Sequence, residues 1–406
     1  MAKKKKKRRV NPIRMALVFI VFILVIALVI SLVVLLVRKT GSNSNASANS
    51  STSKVEETKE DENVISFIGV GDNLIHDTVY MDAQQEDGSY DFTKMYANVK
   101  DTVEAADISF INQETVLGGS ELGLSGYPTF NSPTEIAKNL EDTGFTLANL
   151  ATNHCLDKYE DGIANELAAF SQTNITVDGV YTSQEGYDEI KTFTVKDTTF
   201  SFLAYTYGTN GIEAPNSYNV SYFDEAQITS DVQRAKEVSD VVIVSAHWGD
   251  ENTFAPNDFQ TYYAQLFADL GVDVVIGTHP HTIQPVQWLT GSGGNQTLVV
   301  YSLGNFIGGM LTTDNAIGGM ICFDFVKEGD SISIQNVVWK PLIIHFEGDQ
   351  NDILNQRYNY SSYFVSDYTD ELASRHVLNG YDGNVVSLDY INQVTQSVID
   401  AQFLED

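Results

Sequence analysis

The stretch Gly277-Thr278-His279-Pro280-His281 follows the apolar run Val272-Asp273-Val274-Val275-Ile276. The run is rich in β-branched residues and predicts a buried strand. We expect Gly277 to let the backbone turn where this strand ends, while Pro280 limits backbone freedom between the two histidines. Neutral imidazole binds ions such as Zn, Mn and Fe. The pair therefore indicates either two metal ligands at the end of a sheet strand or a structural loop.

Residues of metal-ligand type recur at the ends of other predicted strands. These strands cover residues 64–70, 108–111, 146–150 and 241–246, and helices are predicted between them. Alternating strands and helices indicate an α/β architecture, and ligands in such folds bind beyond the carboxyl ends of the strands. The polar residues at those ends are Asp72, His76, Glu114, Asn153, His154, His247, His279 and His281.

The clustering of these residue types predicts one shared metal centre. Five of the seven histidines fall at or just after a predicted strand end, and nitrogen and carboxylate ligands suit transition-metal ions, bound in one site or as a bridged pair. Two ions about 4 Å apart would clamp a phosphoryl group and activate a water. Each residue also has an ordinary structural interpretation, such as a helix cap for Asp72, a surface position for His76 or a turn for Asn153. Asp72 and His76 would share one face if a helical turn follows the first strand.

A long uncharged segment near the N-terminus predicts a membrane span. Residues 15–37 contain no charged side chain, and a helix of that length spans roughly 34 Å, enough for a hydrocarbon core of about 30 Å. Eight Lys or Arg residues precede the segment, and only Arg38 and Lys39 closely follow it. The basic side therefore stays in the cytoplasm, where it would also contact anionic membrane lipid, and the rest of the chain lies outside. A cleaved signal peptide is the alternative for this segment.

The chain beyond this segment is strongly acidic. Residues 40–406 contain 14 of the 24 Lys and Arg residues and all 54 Asp and Glu residues, a formal charge of 14 − 54 = −40. This charge argues against nucleic acid as a partner and favours a divalent cation, whereas a polyanionic substrate would need a locally screened or metal-lined site. The two cysteines, Cys155 and Cys322, lie in apolar surroundings that predict buried free thiols instead of a disulfide.

Six motifs follow one another along residues 64–345. They are Gly71-Asp72-Asn73-Leu74-Ile75-His76, Asn112-Gln113-Glu114, Thr152-Asn153-His154, His247-Trp248-Gly249, Gly277-Thr278-His279-Pro280-His281 and Tyr301-Ser302-Leu303-Gly304-Asn305-Phe306. Together they resemble the CapA/PgsA poly-γ-glutamate capsule biosynthesis protein family. That resemblance implies the calcineurin-like metallophosphoesterase fold, a β-sandwich flanked by helices, here preceded by one N-terminal transmembrane helix.

The predicted organisation has five parts. They are a basic cytoplasmic N-terminus at 1–14, a transmembrane helix at 15–37, a flexible linker at 38–63, a CapA-like metallophosphoesterase domain at 64–345 and a partly helical C-terminal appendage at 346–406.

The resemblance also implies two divalent metal ions, of which Mn, Zn and Fe are the candidates. The implied ligands are Asp72, His281 and in addition His76 for one ion, Asn153, His247 and His279 for the other, and Glu114 as a bridge between them.

The resemblance further implies that His154 donates a proton to the leaving group. Two motifs depart from the phosphoesterase pattern. That pattern has Asp-x-His in its first motif, whereas here Asp72 and His76 are four residues apart, and Glu114 stands where the pattern has an aspartate.

Three functions are compatible with these observations. The first is a metal-dependent hydrolase or transferase, anchored by one span in the cell membrane of a Gram-positive bacterium and acting outside the cell in capsule or envelope polymer biosynthesis. Its implied partners are membrane-embedded polymer synthase subunits and poly-γ-glutamate or another envelope polymer. The second is a non-catalytic subunit that binds the polymer or serves as a scaffold in a synthase or export complex. The third is an extracellular phosphoesterase with an unrelated substrate.

Overall fold

Two β-sheets form the centre of the protein, whose computed structural model describes residues 62–405. The strands are β1 Val64–Asn73, β2 Ile108–Gln113, β3 Leu147–Asn149, β4 Thr176–Asp178, β5 Lys191–Val195, β6 Thr198–Thr206, β7 Val241–His247, β8 Val274–Thr278, β9 Ile283–Thr290, β10 Gln296–Leu303, β11 Asn305–Ile307, β12 Ile317–Glu328, β13 Ser331–Gly348 and β14 Arg357–Phe364. The α-helices are α1 Asp77–Ala83, α2 Thr93–Tyr96, α3 Lys100–Ala105, α4 Glu135–Thr143, α5 Tyr159–Phe170, α6 Gln184–Asp188, α7 Glu225–Val238, α8 Asp258–Leu270, α9 Thr313–Ala316, α10 Asp370–Arg375 and α11 Leu388–Val398.

Each sheet contains a parallel block and antiparallel strands at its edges. The larger sheet has the order β14-β13-β12-β1-β2-β3-β4, with β11 paired to β1, and is parallel from β1 to β4. The smaller sheet has the order β5-β6-β7-β8-β10-β9 and is parallel from β6 to β10. The parallel blocks matter for function because all their carboxyl ends lie at one edge of the sheet.

Successive side chains along the strands of the smaller sheet point to opposite faces, so its apolar residues belong to two different hydrophobic cores. Phe202 and Ile243 belong to the core between the sheets, whereas Leu203 and Val242 belong to a second core under α7 and α8. This is the period of two that strand geometry imposes. Rings from opposite sheets meet directly, since the Phe110 and Phe202 centroids lie 6.2 Å apart.

The expected α/β architecture, with packed sheets and flanking helices, is confirmed. The strands β4, β9 and β11 were not predicted. Residues 93–105 form two separate helices, α2 and α3. The break between those two helices has a tertiary cause. Asn98 lies there, and its Nδ2 donates to Ser361 Oγ at 2.8 Å and to Ser362 O at 3.1 Å, so this residue is held against β14.

The C-terminal residues contain a strand that the sequence analysis did not predict. β14 pairs antiparallel with β13 and extends the larger sheet, and the boundary expected at residue 345 falls inside β13. Tyr360, Tyr368 and Val377 are buried in the larger hydrophobic core. The helices α10 and α11 agree with the expected helical content of this region.

Both cysteines are unpaired, as predicted, with Cys155 buried and Cys322 half-buried. Within residues 62–405, no helix has the length and apolar composition needed to cross a membrane. The predicted cytoplasmic segment and transmembrane helix lie outside the described residues, as does the linker except for its last two residues.

Gly71 permits a close backbone contact beside the strand-end residue Asp72. A Cβ at position 71 would lie 1.8 Å from the carbonyl oxygen of Gly304, the same oxygen that accepts a 3.0 Å hydrogen bond from the Asp72 N–H. We expect Gly71→Ala to lower the free energy of unfolding by about 1–3 kcal/mol, because the backbone has to move. Urea denaturation measures this, with Gly208→Ala as the control, since nothing lies within 4 Å of a Cβ there. Equal stability of the two variants would contradict the prediction.

Candidate metal centre

The register of the parallel strands brings polar side chains to one level at the edge of each sheet. In the larger sheet Asp72 is level with Asn112, and Asn112 is level with Asn149. In the smaller sheet His247 is level with Thr278. Residues from strands far apart in sequence therefore reach a common region at the carboxyl ends of both sheets.

Two groups of ligand-type side chains form there and share Glu114. Asp72, Glu114 and His281 make one group, and Glu114, His247 and His279 make the other, with all ligand atoms of each group within 4.8 Å of one another. Glu114 Oε1 lies 3.5 Å from His281 Nε2 and 3.9 Å from His247 Nε2. The arrangement places a single carboxylate between two sets of histidine nitrogens.

Asn153 joins the second group. Its Oδ1 lies 2.9 Å from His247 Nε2, and the opposite ring nitrogen, His247 Nδ1, lies 3.0 Å from Thr278 Oγ1. A hydrogen bond at Nδ1 fixes the orientation of the ring and leaves Nε2 for a ligand.

The residues at this site fit a bound cation. Both carboxylate oxygens of Glu114 and the Nδ1 atom of His279 are buried and have no hydrogen-bond partner in the described part of the chain. Burying a carboxylate without partners costs several kcal/mol, so a folded protein normally avoids it. Nitrogen and carboxylate donors together suit divalent transition-metal ions.

The charges at the site are strongly coupled. Burial raises the pKa of Glu114 well above its usual range, His281 opposes that shift, and the carboxylate of Asp72 adds to it. Burial lowers the pKa of His281, but Glu114 and Asp72 outweigh burial and raise it to about 10. Burial holds the pKa values of His247 and His279 well below the usual range. These two imidazoles are therefore neutral, the form that binds metal.

The turn that carries the two histidines has an unfavourable backbone conformation. His279 has φ +96° and His281 has φ +58°, and such left-handed conformations of non-glycine residues cost about 1–3 kcal/mol each. Gly277 does not make the turn, contrary to the expectation from the sequence, because β8 continues through Thr278. The glycine is instead required by close packing, since a Cβ at position 277 would lie 2.0 Å from Tyr301 O.

His154 forms a buried pair next to this centre. Its Nδ1 lies 2.7 Å from Asp157 Oδ2, and its ring packs edge-on against Phe130 with centroids 4.6 Å apart. Phe130 belongs to a glycine-rich loop at residues 118–133. The pairing engages Nδ1, and His154 Nε2 has no hydrogen-bond partner among residues 62–405.

His76 lies near the centre but outside both groups. It precedes α1 as its N-cap, so it does not share a helical turn with Asp72 as the sequence suggested. The Gly309 N–H donates to His76 Nδ1 at 3.0 Å, and burial lowers the pKa of His76 to about 3. Its ring packs against Phe130, with centroids 5.2 Å apart.

Three residues that support the site were missed in the sequence. Asn112 Nδ2 donates to Asp72 Oδ1 at 2.8 Å and so orients that carboxylate. Asp157 follows His154 by three residues, a spacing that could have drawn attention to it. The Tyr207 ring lies 4.6 Å from the His279 ring. Tyr207 directly follows β6, so its strand-end position was a signal, but tyrosine was not among the residue types sought.

Three further residues lie near the site and have packing or supporting roles. Trp248 is a core residue, fully buried, with its Nε1–H donating to Tyr301 O at 3.0 Å. Asn305 contacts the site, as expected, because its Oδ1 lies 3.0 Å from His281 Nδ1. Ser302 is no exposed nucleophile, since it is buried and its Oγ accepts a hydrogen bond from the Gly304 N–H.

The family of this chain is established by sequence comparison. A family model for the bacterial capsule synthesis protein PGA_cap matches residues 66–310, so the chain belongs to that family, and the predicted resemblance is confirmed. The chain is similar to the PGA biosynthesis protein CapA of Bacillus subtilis (strain 168), with 32% identity over 189 residues, 45% of this chain and 48% of that protein. It is also similar to the capsule biosynthesis protein CapA of Bacillus anthracis, with 28% identity over 200 residues, 45% of this chain and 46% of that protein. The matched region thus spans about half the length of each relative.

The solved structures similar to this chain include the calcineurin-like phosphoesterase YfkN from Bacillus subtilis. The alignment has a TM-score of 0.40 and 13% identity, and it covers 82% of this chain and 96% of that chain.

We expect the purified protein to bind about two equivalents of a transition-metal ion, as a bridged pair requires. His279→Ala should lose at least one equivalent, because it removes a buried donor with no other partner. His76→Ala is the matched control and should keep the wild-type metal content, since His76 belongs to neither ligand group in the described part of the chain. Elemental analysis after reconstitution measures both variants. Equal metal loss from both would contradict this assignment.

Proposed function

We propose that this capsule synthesis family protein is a metal-dependent hydrolase or transferase acting on an envelope polymer or its precursor. The observation that carries the proposal is the Glu114 carboxylate, buried without hydrogen bonds between two sets of histidine nitrogens. The proposed ligands are Asp72, Glu114 and His281 for one ion and Glu114, Asn153, His247 and His279 for the other.

Divalent ions held by these residues would polarise a phosphoryl or acyl oxygen and lower the pKa of a water. The protein would contribute positioning and protons. Asn112 holds the Asp72 carboxylate through a 2.8 Å hydrogen bond, and Thr278 orients His247. The loop carrying Phe130 packs against the buried ring of His154.

His154 is the proposed proton donor. Asp157 engages Nδ1, so a proton on Nε2 is the one available to a leaving-group oxygen. A buried carboxylate behind an imidazole also stabilises the imidazolium form and fixes the ring orientation. The Asp157 carboxylate is itself held in place, because its Oδ2 accepts a 2.6 Å hydrogen bond from the Phe130 N–H.

An anionic polymer fits this proposal in spite of the acidic composition of the chain. Metal ions at the strand ends would provide the positive charge that the surrounding protein lacks. Poly-γ-glutamate is the polymer that the family resemblance implies. The predicted membrane anchor at residues 15–37, the extracellular location and an association with membrane-embedded synthase subunits belong to the same proposal.

We expect His154→Gln to reduce turnover by about 10²–10⁴-fold while metal content is retained, because it removes a proton donor without removing a ligand. The substrates to screen are phosphomonoesters, phosphodiesters and γ-glutamyl peptides, with polymer output measured in cells. His376→Gln is the control, since His376 is also buried but bonds only to backbone groups, Ile344 O and the Leu378 N–H.

Two outcomes would count against catalysis through His154. Unchanged polymer output with wild-type metal content would favour the non-catalytic polymer-binding or scaffold role. Equal loss of activity in both variants would indicate a general effect of replacing a buried histidine.

A further inference from the structure

A turn directly after β7 brings another carboxylate to the two histidines of the 279–281 turn. Glu251, His279 and His281 each offer a ligand atom, and these three atoms lie within 4.8 Å of one another. Glu251 is exposed, whereas both histidines are buried. Neither group described for the proposed metal centre includes Glu251.

The backbone around Glu251 is tied to the segment that carries the histidines. The Asn252 N–H donates to Pro280 O at 2.8 Å, and Thr282 Oγ1 donates to Thr253 O at 2.8 Å. Asn252 adopts φ +61°, and its Oδ1 accepts a 2.8 Å hydrogen bond from Asn315 Nδ2. These contacts fix the starting point of the Glu251 side chain, so less conformational entropy is lost when it binds a ligand.

The Glu251 carboxylate attracts His281 and helps to raise the pKa of that residue, but no closer partner holds it in the described part of the chain. Within residues 62–405 it makes neither a hydrogen bond nor an ion pair within 4.0 Å. The nearby carboxylate of Glu114 repels it, and this repulsion contributes to the raised pKa of Glu114. His279 belongs to the same three-residue group, and its Nδ1 is buried without a hydrogen-bond partner among the described residues. Glu251, His279 and His281 thus offer three donor atoms from residues that are held in place. The two histidines also have unfavourable backbone conformations. A shared cation best explains this arrangement.

We propose that Glu251 is a further metal ligand, which closes the proposed centre on its solvent-exposed side. His281 belongs to the Asp72 group and His279 to the His247 group, so Glu251 reaches both halves of the centre, as Glu114 does from its buried position. This assignment rests on the proposed function, because it requires that the centre binds metal. As the exposed ligand, Glu251 is the one that an incoming anionic substrate would displace.

The test compares Mn²⁺ binding by the full-length wild-type protein, Glu251→Gln and Asp250→Asn. Asp250 lies on the same turn and is also exposed, but its carboxylate accepts a hydrogen bond from Asn257 Nδ2 at 2.9 Å and belongs to none of the ligand groups. Both substitutions remove one negative charge. Isothermal titration calorimetry gives affinity and stoichiometry, and electron paramagnetic resonance counts the free Mn²⁺.

We expect Glu251→Gln to weaken binding of at least one Mn²⁺ by about tenfold or more, with Asp250→Asn close to wild type. Equal binding by wild type and Glu251→Gln would overturn the assignment of Glu251 and leave the proposed function standing. Equal weakening in the two variants would also overturn it, because general electrostatics would then account for the effect. Failure of the wild-type protein to bind Mn²⁺, Zn²⁺ or Fe²⁺ would overturn the metal centre and this inference together.

Discussion

The carboxylate of Glu114 is the constraint on which the rest of the site depends. It is fully buried, both oxygens lack hydrogen bonds within residues 62–405, and the carboxylate of Asp72 is close enough to raise its pKa further. A folded chain tolerates such a group only when something compensates for the lost hydration. Without a bound ion, attraction to His281 partly compensates for the lost hydration of Glu114, and the pKa of His281 is raised as a result. A divalent cation would satisfy Glu114 and the free nitrogen of His279 at once.

The fold forms this charged centre where the carboxyl ends of strands from the two sheets meet. The parallel blocks place Asp72 on the larger sheet and His247 on the smaller one, and packing of the apolar inner faces brings the two edges together. The turn with His279 and His281 then adopts an unfavourable backbone conformation to present both rings. Because the donors come from residues far apart in the chain, no single segment could form the centre before the sheets have packed.

The proposed ligands and the proposed proton donor occupy separate parts of the site. The ligand groups lie at the strand ends, while His154 is paired with Asp157 and packed under Phe130 on a loop. Such a division keeps the proposed proton donor close to the centre without using it as a ligand. It also suits a protein with a strongly acidic composition, because the cations would concentrate positive charge at one position where an anionic substrate could bind.

Much of the fold and the site could be predicted from the sequence, because both depend on local patterns. Apolar β-branched runs alternating with helical segments predict the α/β class, and the ordered motifs identify the family. Polar residues at successive strand ends identify Asp72, Glu114, Asn153, His247, His279 and His281 as residues that meet. This inference succeeds because parallel strands must leave their carboxyl ends at a common edge.

The tertiary structure decided the remaining features, since they depend on contacts between distant segments. His76 lies outside both ligand groups, in a position set by tertiary contacts: its Nδ1 accepts a hydrogen bond from the Gly309 N–H, 233 residues further along the chain. Strand β14 is recruited by its pairing with β13, and the α2–α3 break by contacts of Asn98 with β14. The position of Glu251 depends on the hydrogen bonds that join its turn to the turn carrying His279 and His281. The sequence alone thus determined which chemical groups are present at each strand end, and the packing of the two sheets decided which of them come within bonding distance.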